Sequence, residues 1–257
     1  MISDYQIVDV TESNISSHPE AICFINPKHK YFHLKVDWLM ERFKEGLTIK
    51  LLYLKGEKRA VGFIEYIPGE FAWRAVDAKG YLFIHCIWVT PNKNKNNGIG
   101  SLLINECLEQ AARDDFSGVA VLTSSGAFMA QKDLFLKNGF VIAESSDPYF
   151  DLLYKPIKES KLPRINSWQV QPDFNNGLSM VYSKQCPWVA RFIEEIVESA
   201  KLKGVDFTIK EISTAVQAQH APSPYATFTL MNKGRILADH YISETRFLNI
   251  LKKEKLI

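Results

Sequence analysis

Apolar residues recur at helical spacing over residues 35–45, where Val36, Leu39, Met40 and Phe43 share one face. Two β-rich runs follow, 47–54 and 60–66, with Gly56 in the turn between them. Residues 80–89 are aromatic and β-rich and read as a central strand. A polar loop over 91–100, punctuated by Gly98 and Gly100, opens into a helix over 101–115. Leu103, Cys107 and Ala111 with Ile104, Leu108 and Ala112 give that helix one apolar face. A buried strand is predicted at 118–122, a helix over 127–137 stopped at Asn138 and Gly139, and a strand resuming at 140–143.

Periodicity then fades. Residues 155–171 hold two prolines and several charges, which marks a linker. The division expected is 1–158, a linker over 159–170, and 171–257. The second part opens on a short strand at 177–183 and a helix whose Val189, Phe192, Ile193, Ile196 and Val197 recur at core spacing. A strand at 205–212 completes a β-α-β unit. A hairpin over 226–237 turns at Asn232, Lys233 and Gly234, and Ser243 caps a last helix over 244–253. The fold class is α/β, a mixed sheet with helices followed by a smaller β-α-β and hairpin unit.

Composition narrows the function. In 257 residues, 46% apolar and 23% charged is the balance of a globular protein, and no apolar run suits a membrane span. A net charge of +2 does not call for nucleic acid or an anionic membrane. The polar, acidic start is unlike a secretory or transit signal. Cys23, Cys86, Cys107 and Cys186 form no Cys-x-x-Cys pair, so neither a zinc site nor a dithiol centre is expected. Free thiols suit a reducing, cytoplasmic setting.

The most informative segment is 91–100. A strand runs into a glycine-bearing loop that opens directly into a helix. Helix N-termini leave amides unpaired and carry partial positive charge, and glycine lets an anion approach closely. Lys93 and Lys95 add charge. This is an anion-binding loop. No Gly-Lys-Ser/Thr follows, so it is not a Walker loop, and the third glycine of a dinucleotide fingerprint is missing.

Lys95-Asn96-Asn97-Gly98-Ile99-Gly100 resembles the Arg/Gln-x-x-Gly-x-Gly/Ala pyrophosphate loop of GCN5-related N-acetyltransferases (GNAT). Val89-Thr90-Pro91 before it matches that family's Val-x-Pro. Phe135-Leu-Lys-Asn-Gly-Phe140 is similar to its closing Tyr-x-x-x-Gly-Phe element. The resemblance covers roughly residues 1–155. It implies a GNAT-type mixed sheet and acetyl transfer from acetyl-CoA, as co-substrate, to a primary amine of a small molecule. Lys95, Asn96, Asn97, Gly98, Ile99, Gly100 and Ser101 would hold the diphosphate. Ile87, Trp88 and Val89 would offer backbone groups to the pantetheine arm and an N–H to the thioester carbonyl. Ser125, beside Ser124, and Phe135 would also touch the cofactor.

Two positions depart from the pattern. Lys95 keeps the charge of arginine without its planar fork. Phe135 stands where many members carry a tyrosine that protonates the leaving thiolate, and phenylalanine has no proton to give. The attacking amine must be neutral, so a base is needed. Glu65 and His85 are the catalytic candidates, with Glu70 and Cys86 nearby in sequence. By alternation Glu65 shares a strand face with Phe63 and Ile67. Trp73 and Arg74 lie in the connection over 68–80, whose aromatics suit a substrate pocket. That connection resembles the one in acetyltransferases with a YoaP-type C-terminal extension.

The order of elements in the second part resembles the thioredoxin fold, with Cys186-Pro-Trp-Val189 where Cys-Pro-x-Cys would stand. Val189 replaces the second cysteine, so no internal disulfide can close. Cys186 at a helix start would have a lowered pKa, and is also taken as a substrate-side residue. The alternative functions are a non-catalytic acyl-CoA-binding protein and a thiol- or redox-responsive protein built on Cys186. Homodimerisation is left open.

Overall fold

The structure is a computed structural model and describes residues 4–126, 128–169 and 172–257. The first half is built from β1 (Tyr5–Val10), α1 (Phe32–Phe43), β2 (Thr48–Leu54), β3 (Gly62–Pro68), β4 (Val76–Asp77), β5 (Tyr81–Val89), α2 (Ile99–Arg113), β6 (Gly118–Ser124), α3 (Lys132–Lys137), β7 (Val141–Ser146) and β8 (Phe150–Pro156). Seven of these strands make one sheet, in the order β1-β2-β3-β5-β6-β8-β7. Every pairing is antiparallel except β5 with β6. Parallel neighbours need a crossover, and α2 supplies it.

Helix α2 lays Leu103, Ile104, Cys107 and Ala111 on one sheet face, against Ile64, Tyr66, Leu82, Ile84, Val119 and Val121. The opposite face carries Phe63, Ile67 and Trp73 against Trp38 and Leu39 of α1. Both faces are covered, which is why β3 and β6 are buried almost throughout.

The second half holds β9 (Arg164–Ile165), β10 (Leu178–Ser183), α4 (Pro187–Leu202), β11 (Phe207–Ile212), α5 (Ala215–Gln219), β12 (Phe228–Asn232), β13 (Arg235–Ala238) and α6 (Glu244–Lys253). Its sheet order is β11-β10-β12-β13, with β10 and β11 parallel and the other pairs antiparallel. Val189, Ile193 and Ile196 are buried, as the spacing requires, and Ser243 caps α6 by accepting from the Arg246 amide at 3.3 Å.

Several boundaries differ from the pattern. The helix expected from 127 begins at Lys132; Ala127 lies outside the described residues, and Phe128 sits at φ +69°, which a helix cannot use. β1, β8 and α5 gave no clear signal, because their apolar positions are few or run without a period. The expected linker is partly strand. β8 continues through Pro156, and β9 pairs with β4 in a two-residue ribbon, Val76 opposite Ile165. Val170, at the end of that linker, and Gln171 lie outside the described residues.

Segment 69–77 is therefore a strap clasped by the second half. The Ala75 amide donates to Pro224 O at 3.3 Å, and Asn166 N donates back to Ala75 O at 2.9 Å. Gln219 Nε2 donates to Glu70 O at 2.9 Å. A connection whose aromatics suggested a pocket is a docking strip instead.

Candidate active site

Strands β5 and β6 pair only from Tyr81 opposite Gly118 to Ile84 opposite Val121. Beyond that point β5 runs on to Val89 and β6 to Ser124 without each other. The sheet is split at this place. A β-bulge marks the same position on the other edge. Pairing with β3 jumps from Cys86 opposite Glu65 to Ile84 opposite Tyr66, leaving His85 as the extra residue. Past the bulge, Cys86, Ile87 and Val89 are half-buried and Trp88 is 47% exposed. Sequence reading missed the bulge, since a strand of continuous apolar residues carries no mark of one.

The glycine loop lies directly after this edge. Asn94 is buried and donates from Nδ2 to Thr90 O at 3.0 Å, which ties the loop to the strand end. Lys95, Asn96, Asn97 and Gly98 are exposed. Gly98 is the cap of α2 at φ +86°, and a Cβ built there would meet nothing within 4 Å. Glycine is needed for the backbone, and its missing side chain leaves open space above the first amides of α2. Ile99 and Gly100 turn inward. A Cβ at Gly100 would lie 3.1 Å from Leu134, so glycine there admits the packing of α3. Ser101 is half-buried in the first turn. The arrangement is an open, positively polarised helix terminus beside the split.

A cavity of about 580 Å³ lies at the free end of β6. Ser124 and Ser125 line it, with Asp133, Ser145, Asp147, Tyr149 and Asp151. Ser124 Oγ accepts from the Gly126 amide at 2.9 Å. Tyr149 crosses to the second half and donates its hydroxyl to Asp239. Lys132 pairs with Asp151 at 2.8 Å.

Glu65 and His85 are brought together, but in a sealed cluster. The carboxylate is 1% exposed; its Oε2 accepts from Lys35 Nζ at 2.7 Å, and Lys35 is equally buried. Lys35 also lies over the Trp38 ring, 4.1 Å from its centroid. Glu65 shares a face with Phe63 and Ile67 as alternation requires. Burial alone would raise its pKa, but Lys35 and His85 outweigh it and hold the carboxyl down at about 2. His85 Nε2 accepts from the Trp73 amide at 2.9 Å, so the neutral ring carries its proton on Nδ1, 3.3 Å from Glu65 Oε1 and poorly aligned with it. With Nε2 occupied, His85 has no lone pair to offer an amine.

Burial depresses the His85 pKa from 6.5 to about 4, against the pull of Glu65. The unfolded chain binds this proton near pH 6.5 and the folded chain only near 4. The stabilisation is complete above pH 6.5 and is lost as pH falls from 6.5 towards 4, amounting to about 3 kcal/mol. Urea unfolding at pH 7 and pH 4.5 checks this, and His85→Asn should flatten the dependence.

Of the remaining predicted residues, Phe135, Trp73 and Arg74 are buried. Phe135 has no exposed surface and packs edge-on to Phe140 in the α2 core, so it faces away from the cleft. Trp73, 1% exposed, packs edge-on to Trp38. Arg74 is buried between the halves. Cys186 is the cap of α4 and half-buried; burial and nearby Cys23 push its pKa up to about 12, over the opposing Trp188 and Val189 amides. The helix start does not lower it, since desolvation of the thiolate is the larger effect. Cys86 lies beside Cys23, and that neighbour together with burial holds the Cys23 thiol well above its ordinary pKa. Glu70 is exposed on the strap. Among the described residues no group of three or more His, Cys, Asp or Glu could hold a metal ion, and no helix is long and apolar enough to cross a membrane.

Residues 13–140 match the acetyltransferase (GNAT) family, and residues 206–249 match a YoaP-like family. Residues 13–140 are a GNAT acetyltransferase domain, and a YoaP-like part follows it. An uncharacterized N-acetyltransferase YoaP of Bacillus subtilis strain 168 is 29% identical over 254 residues, spanning 95% of this chain and 97% of that protein. Among solved structures, this chain is similar to a putative streptothricin acetyltransferase from Bacillus anthracis in complex with acetyl coenzyme A. That match has 16% identity and TM-score 0.43, and covers 62% of this chain and 100% of that one. Ard1 from Thermoplasma volcanium is similar at 17% identity and TM-score 0.42, covering 60% and 99%.

Proposed function

We propose that this protein transfers the acetyl group of acetyl-CoA to a primary amine at the split between β5 and β6. The observation that carries the reading is the exposed, glycine-opened start of α2 set directly after the unpaired end of β5. The amides of 97–101, with Lys95, hold the diphosphate, and Gly98 leaves room for it. The edge at Ile87, Trp88 and Val89 lies along the pantetheine arm. One of its amides polarises the thioester carbonyl and stabilises the oxyanion that forms when the amine attacks. Ser125 borders the acetyl end through the cavity it lines.

The bound ammonium gives one proton to solvent; the neutral amine then adds to the carbonyl carbon, the C–N bond forms, the C–S bond breaks, and a second amine proton finally resides on the CoA thiol. Phe135 supplies no proton to that thiol. Glu65 on β3 and His85 on β5 act as positioning residues, because the first is sealed from solvent, paired with Lys35 and made weakly basic by it, and the second has its lone pair engaged. The cavity lined by Asp133, Asp147 and Asp151 admits the acceptor, and its carboxylates favour a small cationic amine.

The parts run 1–158, a linker over 159–170, and 171–257. The order β11-β10-β12-β13, with α4 between parallel strands, supports a thioredoxin-like second part. Four free cysteines support a cytoplasmic setting. A redox role for Cys186 draws no support from a thiol held protonated with Val189 in place of a partner. Titration calorimetry with acetyl-CoA, then thiol release with a panel of small primary amines, tests the reading. Binding and release are expected; absence of binding overturns it.

A further inference from the structure

Arg74 is 6% exposed, and among the described residues no carboxylate lies within ion-pair distance of it. Burying a guanidinium without a counter-ion is costly, and an aliphatic side chain would fill the space more cheaply. What the guanidinium alone can do is gather acceptors from separate segments with a rigid planar fork. Its Nη1 donates to Trp73 O at 2.6 Å and to Gln185 Oε1, and reaches Thr227 Oγ1 at 3.4 Å. Its Nη2 donates to His85 O at 3.2 Å. The ring of Tyr225 lies 5.4 Å from the guanidinium carbon. Thr227 Oγ1 in turn donates to Gln185 Oε1 at 3.2 Å, so the acceptor from the second half is itself held.

One of these acceptors lies on the candidate site. His85 is the bulged residue of β5, and its carbonyl belongs to the peptide that leads into Cys86, Ile87 and Trp88. A cation on that carbonyl fixes the plane of the His85–Cys86 peptide at the bulge, and that plane sets the direction in which Ile87 and Trp88 leave it. Gln185 and Thr227, which belong to the second half, orient the cation.

We infer that Arg74 is a positioning residue for acetyl transfer, through which Gln185 and Thr227 of the second half set the thioester-polarising edge of β5. This rests on the acetyl-CoA reading above. It gives the second half a part in the chemistry that Cys186 does not need to supply. It also explains why the strap over 69–77 is clasped on both sides.

The test uses the full chain and acetyl-CoA labelled with ¹³C at the acetyl carbonyl, read by infrared difference spectroscopy of the bound thioester, with calorimetry in parallel. The wild-type protein is expected to shift the carbonyl stretch to lower frequency than in free acetyl-CoA. Gln185→Leu removes the acceptor at near-constant volume. It is expected to bind acetyl-CoA within about twofold of wild type, lose most of the shift, and show kcat down about tenfold with KM for acetyl-CoA little changed. Gln185→Glu restores an acceptor and is expected to restore the shift. A folded Gln185→Leu protein with wild-type affinity and an undiminished shift overturns the inference while leaving the acetyl-CoA reading standing. Wild-type protein that does not bind acetyl-CoA overturns both. If Gln185→Leu does not fold, Arg74→Lys, which keeps the charge and loses the fork, is measured against the same two outcomes.

Discussion

Replacing Glu65 with glutamine should lower the free energy of unfolding by about 3–5 kcal/mol, which is a large part of what holds a domain folded. The cause is the partner left behind. Lys35 Nζ sits 2.7 Å from Glu65 Oε2, and both side chains are 1% exposed. An amide cannot neutralise that ammonium, and among the described residues no other carboxylate is paired with it. The ammonium stays over the Trp38 ring, which compensates only in part. Removing both charges should recover much of the loss, so Glu65→Gln with Lys35→Met is expected to be more stable than Glu65→Gln alone. Urea titrations of the three proteins measure this. A single-variant loss under about 1 kcal/mol would show that water reaches the pair and that the cluster is open. The pH dependence has a fixed sign as well. With the carboxyl held at about 2, this contribution is complete above its ordinary 4.5 and is lost only as pH falls from 4.5 through about 2.

Gly98→Ala should weaken acetyl-CoA binding by about 30- to 100-fold while leaving the fold intact. Two effects combine. At φ +86° an L side chain is strained by about 1–2 kcal/mol. The new Cβ also projects into the open space where the diphosphate is proposed to sit. Among the described residues nothing beyond the adjoining chain lies within 4 Å of that Cβ, so no packing is disturbed. The expected signature is an unchanged circular dichroism spectrum beside a large loss in calorimetric affinity. Lys95→Ala should act differently, with a loss of only a few-fold and a weaker dependence on salt, because an exposed lysine contributes a screened charge. Wild-type affinity in Gly98→Ala would remove the diphosphate from this loop.

Much of the fold was legible because it is written in local periods. The runs that became β3 and β6 bury nearly every residue, those that became β2 and β5 bury a continuous apolar stretch, and the faces of α2, α4 and α6 repeat at 3.6 residues. The loop at 95–101 was legible for another reason. A glycine at a helix start and a run of unpaired amides are properties of a short segment, needing no distant partner.

The surroundings of Glu65 and His85 were not legible in the same way. Sequence places Glu65 and His85 on neighbouring strands, where either could serve as a base. Only packing reveals that Lys35, thirty residues away, closes on one and the Trp73 amide on the other. Phe135 and Cys186 show the same limit. A motif position predicts where a side chain starts, not which way it turns or how dry its surroundings are.

The sequence by itself determined most of the strand and helix order and the glycine-opened start of α2 at Gly98. These follow from hydrophobic period, turn chemistry and the missing Cβ of glycine, all of which act over a few residues. The tertiary structure alone decided the bulge at His85, the split after Ile84 and Val121, and the use of Arg74 and the 69–77 strap to join the halves. Those depend on register and burial, which arise when segments distant in the chain compete for the same neighbours and the same exclusion from water.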